Sequence, residues 1–176
     1  MRALIISVCL TSIFLSGCSH LKSLHQSKAS TEPTPEANAS PAGLPSGRGT
    51  PAEAKAMTLK AVDHYNAVGR TKALGDFTAM KSPFGDRDLY VVCIGSNHKI
   101  TANGGFAQYV GVSSDVLKDA DGKSLGQAIW NAAWEPGEGT VEYKWINPVS
   151  HVTEKKIGFF KKVGEDVCGV GAYSPE

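Results

Sequence analysis

Three strand-like runs follow one another at the carboxyl end of the chain: VEYKWI (141–146), KIGFFKKV (156–163) and DVCGVGAY (166–173). Upstream, LYVVCI (89–94) is β-branched and apolar on both faces, as suits a central strand. Gly95-Ser96-Asn97-His98 turns the chain, and KITA (99–102) can pair back on it. Runs of strands interrupted by one helix and joined by short connections argue an antiparallel sheet in an α+β domain. A doubly wound fold would need regular strand–helix alternation. In VEYKWI the aromatics Tyr143 and Trp145 alternate with Glu142 and Lys144, so the rings share one face of the strand and the charges the other.

Helices bracket the first two strands. Thr50-Pro51-Ala52-Glu53 has the form of a capping box with Pro at the first helical position. Met57, Ala61, Tyr65 and Val68 then recur at helical spacing up to a stop at Gly69. A shorter helix is predicted over 71–80, presenting Leu74 and Phe77, and Lys81-Ser82-Pro83-Phe84-Gly85 ends it. SLGQAIWNAAW (124–134) carries a further stripe of Leu125, Ala128, Ile129 and Ala132. The order is helix, helix, strand, strand, helix, then three strands.

The amino end is of another kind. MRALIISVCLTSIFLSGCS has one Arg, an apolar run from Ala3 to Leu15, and small residues ending at Cys18. That run is shorter than the roughly 20 residues of an ordinary transmembrane helix, so residues 1–17 read as a signal peptide. Leu15-Ser16-Gly17-Cys18 resembles a bacterial lipobox, which implies diacylation of the Cys18 thiol, cleavage before it and acylation of the new amino terminus. The alternative is an apolar signal with an unmodified Cys. Lipidation implies a protein of the bacterial cell envelope, facing the periplasm or the outside and held by a stable anchor. Ser19, where an Asp would resemble an inner-membrane retention signal, points to the outer membrane in a cell that has one.

From Ser19 to Gly49 the chain is rich in Ser, Thr, Pro, Ala and Gly, with almost no large apolar residue after Leu24. Such a segment cannot bury enough surface to offset its ordering entropy. Residues 18–50 are expected to be a disordered tether, with a typical reach on the order of 30 Å. Residues 51–176 remain, enough for one core and too few for two.

Composition narrows function. The chain has 18 Lys and Arg, 17 Asp and Glu and five His; loss of Arg2 with the signal peptide leaves 17 of each sign. Without a clustered basic excess there is no case for nucleic acid. The histidines, at 20, 25, 64, 98 and 151, show no ligand spacing, no Ser sits in a nucleophile elbow, and the carboxylates are scattered on polar faces. Asp119-Ala120-Asp121-Gly122 lacks the third acidic position and closing Glu of a calcium loop and reads as a turn. No helix follows Gly169-Val170-Gly171, so it is no dinucleotide fingerprint; its glycines permit close approach of a neighbour. Neither catalysis, nor a metal, nor a cofactor is expected.

Leu89-Tyr90-Val91-Val92, the run from Leu117 to Lys123, Glu142-Tyr143-Lys144-Trp145 with Asn147-Pro148, Lys156, and Gly169-Val170-Gly171-Ala172-Tyr173 occur in the order seen in single Cache domains of type 2. Over residues 56–173 the chain resembles that extracytoplasmic sensor family. The resemblance implies a PAS-like five-stranded antiparallel sheet, a long amino-terminal helix along it, a helix between strands 2 and 3, and a small-molecule pocket. It also implies a ligand such as acetate, propionate or pyruvate, and an output through a receptor or kinase. With no second hydrophobic span or further domain, the chain reads as a free-standing, lipid-anchored member. Its expected partners are a small-molecule ligand, the membrane through its lipid, and an envelope receptor or kinase. Three positions depart from the family pattern: the turn at 95–98, Asn103 where His is frequent, and Phe159 where Tyr is frequent.

On this resemblance Tyr143 and Trp145 wall the pocket and Lys156 supplies the charge that pairs with a carboxylate. Tyr90, Asn103 and Phe159 are the further candidates. The alternative is that the rings are core and the Lys is solvated. The PAS-like order also sets the runs holding Cys93 and Cys168 side by side, where a disulfide is expected in an oxidising compartment and buried free thiols are the alternative. The function expected is a Cache domain that binds or senses a small carboxylate. A module that docks on an envelope receptor without a ligand is the alternative.

Overall fold

The computed structural model describes residues 47–174. The signal peptide, the lipidation of Cys18 and the tether up to residue 46 lie outside the described residues.

Helix α1 spans Pro51–Val68 and opens with the expected box: the Thr50 hydroxyl accepts from the Glu53 amide, and the Glu53 carboxylate accepts from the Thr50 amide. Ala54, Met57, Ala61 and Tyr65 form its buried stripe, whereas Val68, in its last turn, is exposed. Gly69, at φ 83°, lets the chain turn directly into α2, Arg70–Thr78, which buries Leu74 and Phe77. Residues 48–50, expected to belong to the tether, are tied to the domain. Gly49 N donates to Asp88 Oδ1 at 2.6 Å, and Arg48 Nη2 donates to Glu154 Oε1 at 2.8 Å.

Six strands form one antiparallel sheet: β1 (Gly85–Asp86), β2 (Leu89–Gly95), β3 (Ile100–Asn103), β4 (Glu138–Ile146), β5 (Thr153–Val163) and β6 (Asp166–Ser174). The path runs β1-β2-β6-β5-β4, with β3 also paired to β2. The expected five strands are all present, and β1 is an addition of two residues closing onto the start of β2. Strands β4 and β5 each begin three residues before the runs read from sequence, because Glu138, Gly139 and Thr140 pair with Lys161, Phe160 and Phe159, and Thr153, Glu154 and Lys155 pair with Ile146, Trp145 and Lys144. Cross-strand pairing, not local propensity, recruits those residues. Helix α3, Leu125–Ala133, lies between β3 and β4 in sequence.

Each sheet face is covered. On one, α1 and α2 pack against Leu89, Val91 and Cys93 of β2 and Cys168, Val170 and Ala172 of β6. Cys93 and Cys168 are register partners across β2 and β6 and are joined by a disulfide beneath α1. On the other face, α3 brings Leu125, Ile129 and Ala133 onto Ile94, Val141, Phe160 and Val167. Beside them Tyr90, Phe106 and Tyr173 form an aromatic cluster that continues to Tyr109 and Trp145.

Candidate ligand site

The site grows out of strand alternation. On β4, Tyr143 and Trp145 point to the α3 face, and register sets Lys156 opposite Tyr143. Lys156 is also opposite Tyr173 on β6, so it stands in the middle of a three-strand row. Gly171, two residues before Tyr173, makes room for it: a Cβ there would stand 2.5 Å from Lys156 Cε. Glycine in this strand thus serves the close approach expected of it.

Lys156 is only 2% exposed, which removes the solvated alternative. Its ammonium nitrogen lies 3.9 Å from the ring centroid of Tyr90 and 4.1 Å from that of Tyr173. Among the described residues no hydrogen bond or ion pair reaches it. The two neighbouring acids are engaged elsewhere. Asp88 accepts from Gly49 N and from Asn147 Nδ2, and Glu154 accepts from Arg48, Asn147 and Ser150. Cation–π contact with a desolvated ring contributes about 2 kcal/mol. Withdrawing an ammonium from water costs several kcal/mol per ion. Desolvation pushes the Lys156 pKa well below its ordinary value, and the Asp88 charge opposes this in part.

The phenols around it are fixed. Tyr173 Oη donates to the Ile146 carbonyl at 2.7 Å, which leaves Tyr90 Oη as the donor in the 3.1 Å contact between the two hydroxyls. Burial pushes Tyr90, Tyr143 and Tyr173 above the ordinary tyrosine range, so all three stay uncharged at neutral pH.

Tyr90, Asn103, Tyr143 and Trp145 line one internal cavity with Val92, Leu117, Leu125, Ile129 and Phe160. Its volume is about 20 Å³, room for roughly one water. Asn103 is not aimed freely into it, since its Oδ1 accepts from Phe106 N at 2.9 Å and so holds the turn after β3. Five of the six candidates therefore share the α3 face. Phe159 does not join them: it lies three positions from Lys156, alternation sends it to the opposite face, and it packs against the core under α1. Phe160 takes the inward place. Sequence reasoning also missed Tyr173 and Phe160, although both are even-numbered steps from recognised residues along or across a strand.

A larger open groove of about 440 Å³ runs beside the β4 edge, lined by Asp121, Lys123, Glu142, Lys144 and Lys155 together with Tyr143 and Lys156, and Lys156 lines this groove and not the inner cavity. Its charges are mixed and solvent-facing, so it has neither the dryness nor the convergent geometry of the inner cluster. Tyr143 borders both spaces. The 119–122 turn forming one wall is a closed unit, with Asp119 Oδ1 accepting from the amides of Asp121 and Lys123. That carboxylate caps a turn, as its spacing suggested.

Residues 45–173 match the profile of the family described as single Cache domain 2. No curated protein matches the chain significantly. Among solved structures, a methyl-accepting chemotaxis protein from Vibrio parahaemolyticus RIMD 2210633 is similar at 20% identity and a TM-score of 0.58, over 69% of this chain and 86% of that one. The periplasmic sensor domain of a chemotaxis protein is similar at 24% identity and a TM-score of 0.60, over 70% and 94%. A Cache chemosensory domain described for its carboxylic acid recognition is similar at 17% identity and a TM-score of 0.55, over 70% and 88%. At these identities the likeness is one of fold.

Proposed function

Because the chain belongs to the single Cache domain 2 family, a family of extracytoplasmic sensor domains, we propose that it is an envelope-anchored lipoprotein that binds or senses a small carboxylate. The observation that carries this reading is Lys156: a basic side chain buried among aromatic rings, with no acidic partner among the described residues. A carboxylate is the ligand that supplies the missing charge. Tyr90, Tyr143, Trp145 and Tyr173 enclose its apolar part, and Asn103 holds the loop that covers it. Recognition of a carboxylic acid by a structurally similar Cache domain supports the ligand class. No catalytic role belongs to this reading. Lipidation at Cys18 would hold the domain at the envelope, and an envelope receptor or kinase would take its output.

The test is calorimetric titration of the domain with acetate, propionate and pyruvate. Saturable heat with one of them, lost in Lys156→Met, is expected; a flat titration with all three rejects the carboxylate. One observation favours the alternative of a docking module that needs no ligand: the inner cavity of about 20 Å³ must open before any of these acids fits. Acyl labelling of wild type and Cys18→Ala tests the anchor, which is excluded by equal labelling of the two.

A further inference from the structure

The arrangement around Lys156 fixes more than the sign of its ligand. The groups that face it come from every strand packed against it. Tyr90 and, just before that strand, Asp88 lie on the β2 side, Tyr143 is opposite on β4, Tyr173 is opposite on β6, and Glu154 lies two residues along β5. The three phenols are neutral and fixed in place. The two carboxylates are held by Gly49, Asn147, Arg48 and Ser150, none of which can release them without breaking the junction between α1, β2 and β5. Asp119, which lines the groove beside Lys156, is held by the amides of Asp121 and Lys123, so among the described residues no carboxylate pairs with an ammonium at Lys156.

Resting on the carboxylate reading above, we propose that the Lys156 amine is uncharged in the empty protein and takes up one proton when a carboxylate enters, so that ligand binding and proton uptake are a single event. The balance is one amine, one carboxylate anion and one proton from solvent giving an ammonium–carboxylate pair, with no other bond made or broken. The buried ion pair forms only with both halves present, because either charge alone is stranded in an apolar cluster. The strong depression of the Lys156 pKa by burial agrees with the geometry. The site would then respond to the product of carboxylate and proton concentrations, and an acidified envelope would read as more ligand.

Two measurements on the intact folded domain test this. The first follows the Lys156 side-chain resonances against pH in the empty protein by NMR, assigned with Lys156→Arg. An amine signal at pH 8 is expected, and an ammonium signal persisting to pH 9 overturns the proposal whatever the ligand does. The second is titration with acetate, propionate and pyruvate at pH 7.5 in phosphate and in Tris, whose ionisation enthalpies differ. Uptake near one proton per ligand is expected, with affinity falling about tenfold per pH unit where the empty site is neutral and the complex protonated. Binding without proton uptake overturns the linkage. A neutral amine with no heat from any acid overturns it through the ligand, a failure that the NMR measurement separates from the first.

Discussion

Lys156 and Gly171 are a side chain and the space it needs: the lysine stem crosses β6 where the glycine has no Cβ, 2.5 Å from where one would be. Register alone brings this about, since Lys156 pairs with Tyr173 and Gly171 lies one step along the same face. Gly171→Ala should push the amine out of the Tyr90–Tyr173 cage. Overpacking of this kind costs about 1–3 kcal/mol in stability. Carboxylate affinity should fall at least tenfold while the far-UV spectrum is kept. An unchanged affinity would show that the amine's position in the cage is not what the ligand reads.

Lys156→Met should change how stability depends on pH. The unfolded chain holds the Lys proton up to near 10.5, whereas burial makes the folded protein release it at lower pH. Between those two values the unfolded state binds more protons, so wild-type stability rises with pH, by at most about 1.4 kcal/mol per unit. The variant lacks this slope and is the more stable of the two at pH 7. Urea unfolding between pH 7 and 8.5, below the range where the unfolded tyrosines ionise appreciably, measures both. Parallel curves for the two proteins would mean that Lys156 carries its proton in the fold.

The Cys93–Cys168 bond closes a sequence separation of 75 residues between the two central strands. In the chain-entropy account a loop of that length is worth roughly 4.5 kcal/mol at most. Both sulfurs are fully buried, so reduction has to be done in denaturant before refolding. The reduced domain should unfold at a markedly lower urea concentration with a similar slope. Coincident transitions would show that packing under α1 holds β2 against β6 without the bond.

Much of this fold is legible because its local signals agree with its tertiary pairing. The capping box at Thr50 and the alternation in VEYKWI predict a helix start and a shared face that the structure has. The site is legible only where one strand suffices to place a residue. Tyr143 and Trp145 follow from alternation; Phe159 rests on family likeness, and alternation from Lys156 alone turns it to the α1 side. Tyr173 needs the β5–β6 register, which lies between segments and not within one. The burial of Lys156 is illegible for a further reason: a Lys among polar neighbours reads as solvated, and only its place between β4 and β6, over the rings of Tyr90 and Tyr173, withdraws the water.

A latch lies at the start of the described residues. Arg48 reaches back to Glu154, which shares its strand face with Lys156, so the segment leading to the amino terminus is fastened one step from the candidate site. The Arg48 hydrogen bond, with help from Asn147 and Ser150, holds the Glu154 carboxyl below its ordinary range, against the effect of burial. A carboxyl lowered in the folded state stabilises fully above its unfolded value near 4.5 and loses that contribution as pH falls through the folded value. Glu154→Gln should therefore lower stability at pH 7 and flatten the acid limb of the stability curve. Arg48→Ala should do the same, less strongly, because Arg48 is 41% exposed and solvent screens its charge. Chemical unfolding of the two single variants and the double variant between pH 3 and 7 measures the coupling. Additive losses would mean that the two side chains act independently and that no latch joins Arg48 to β5.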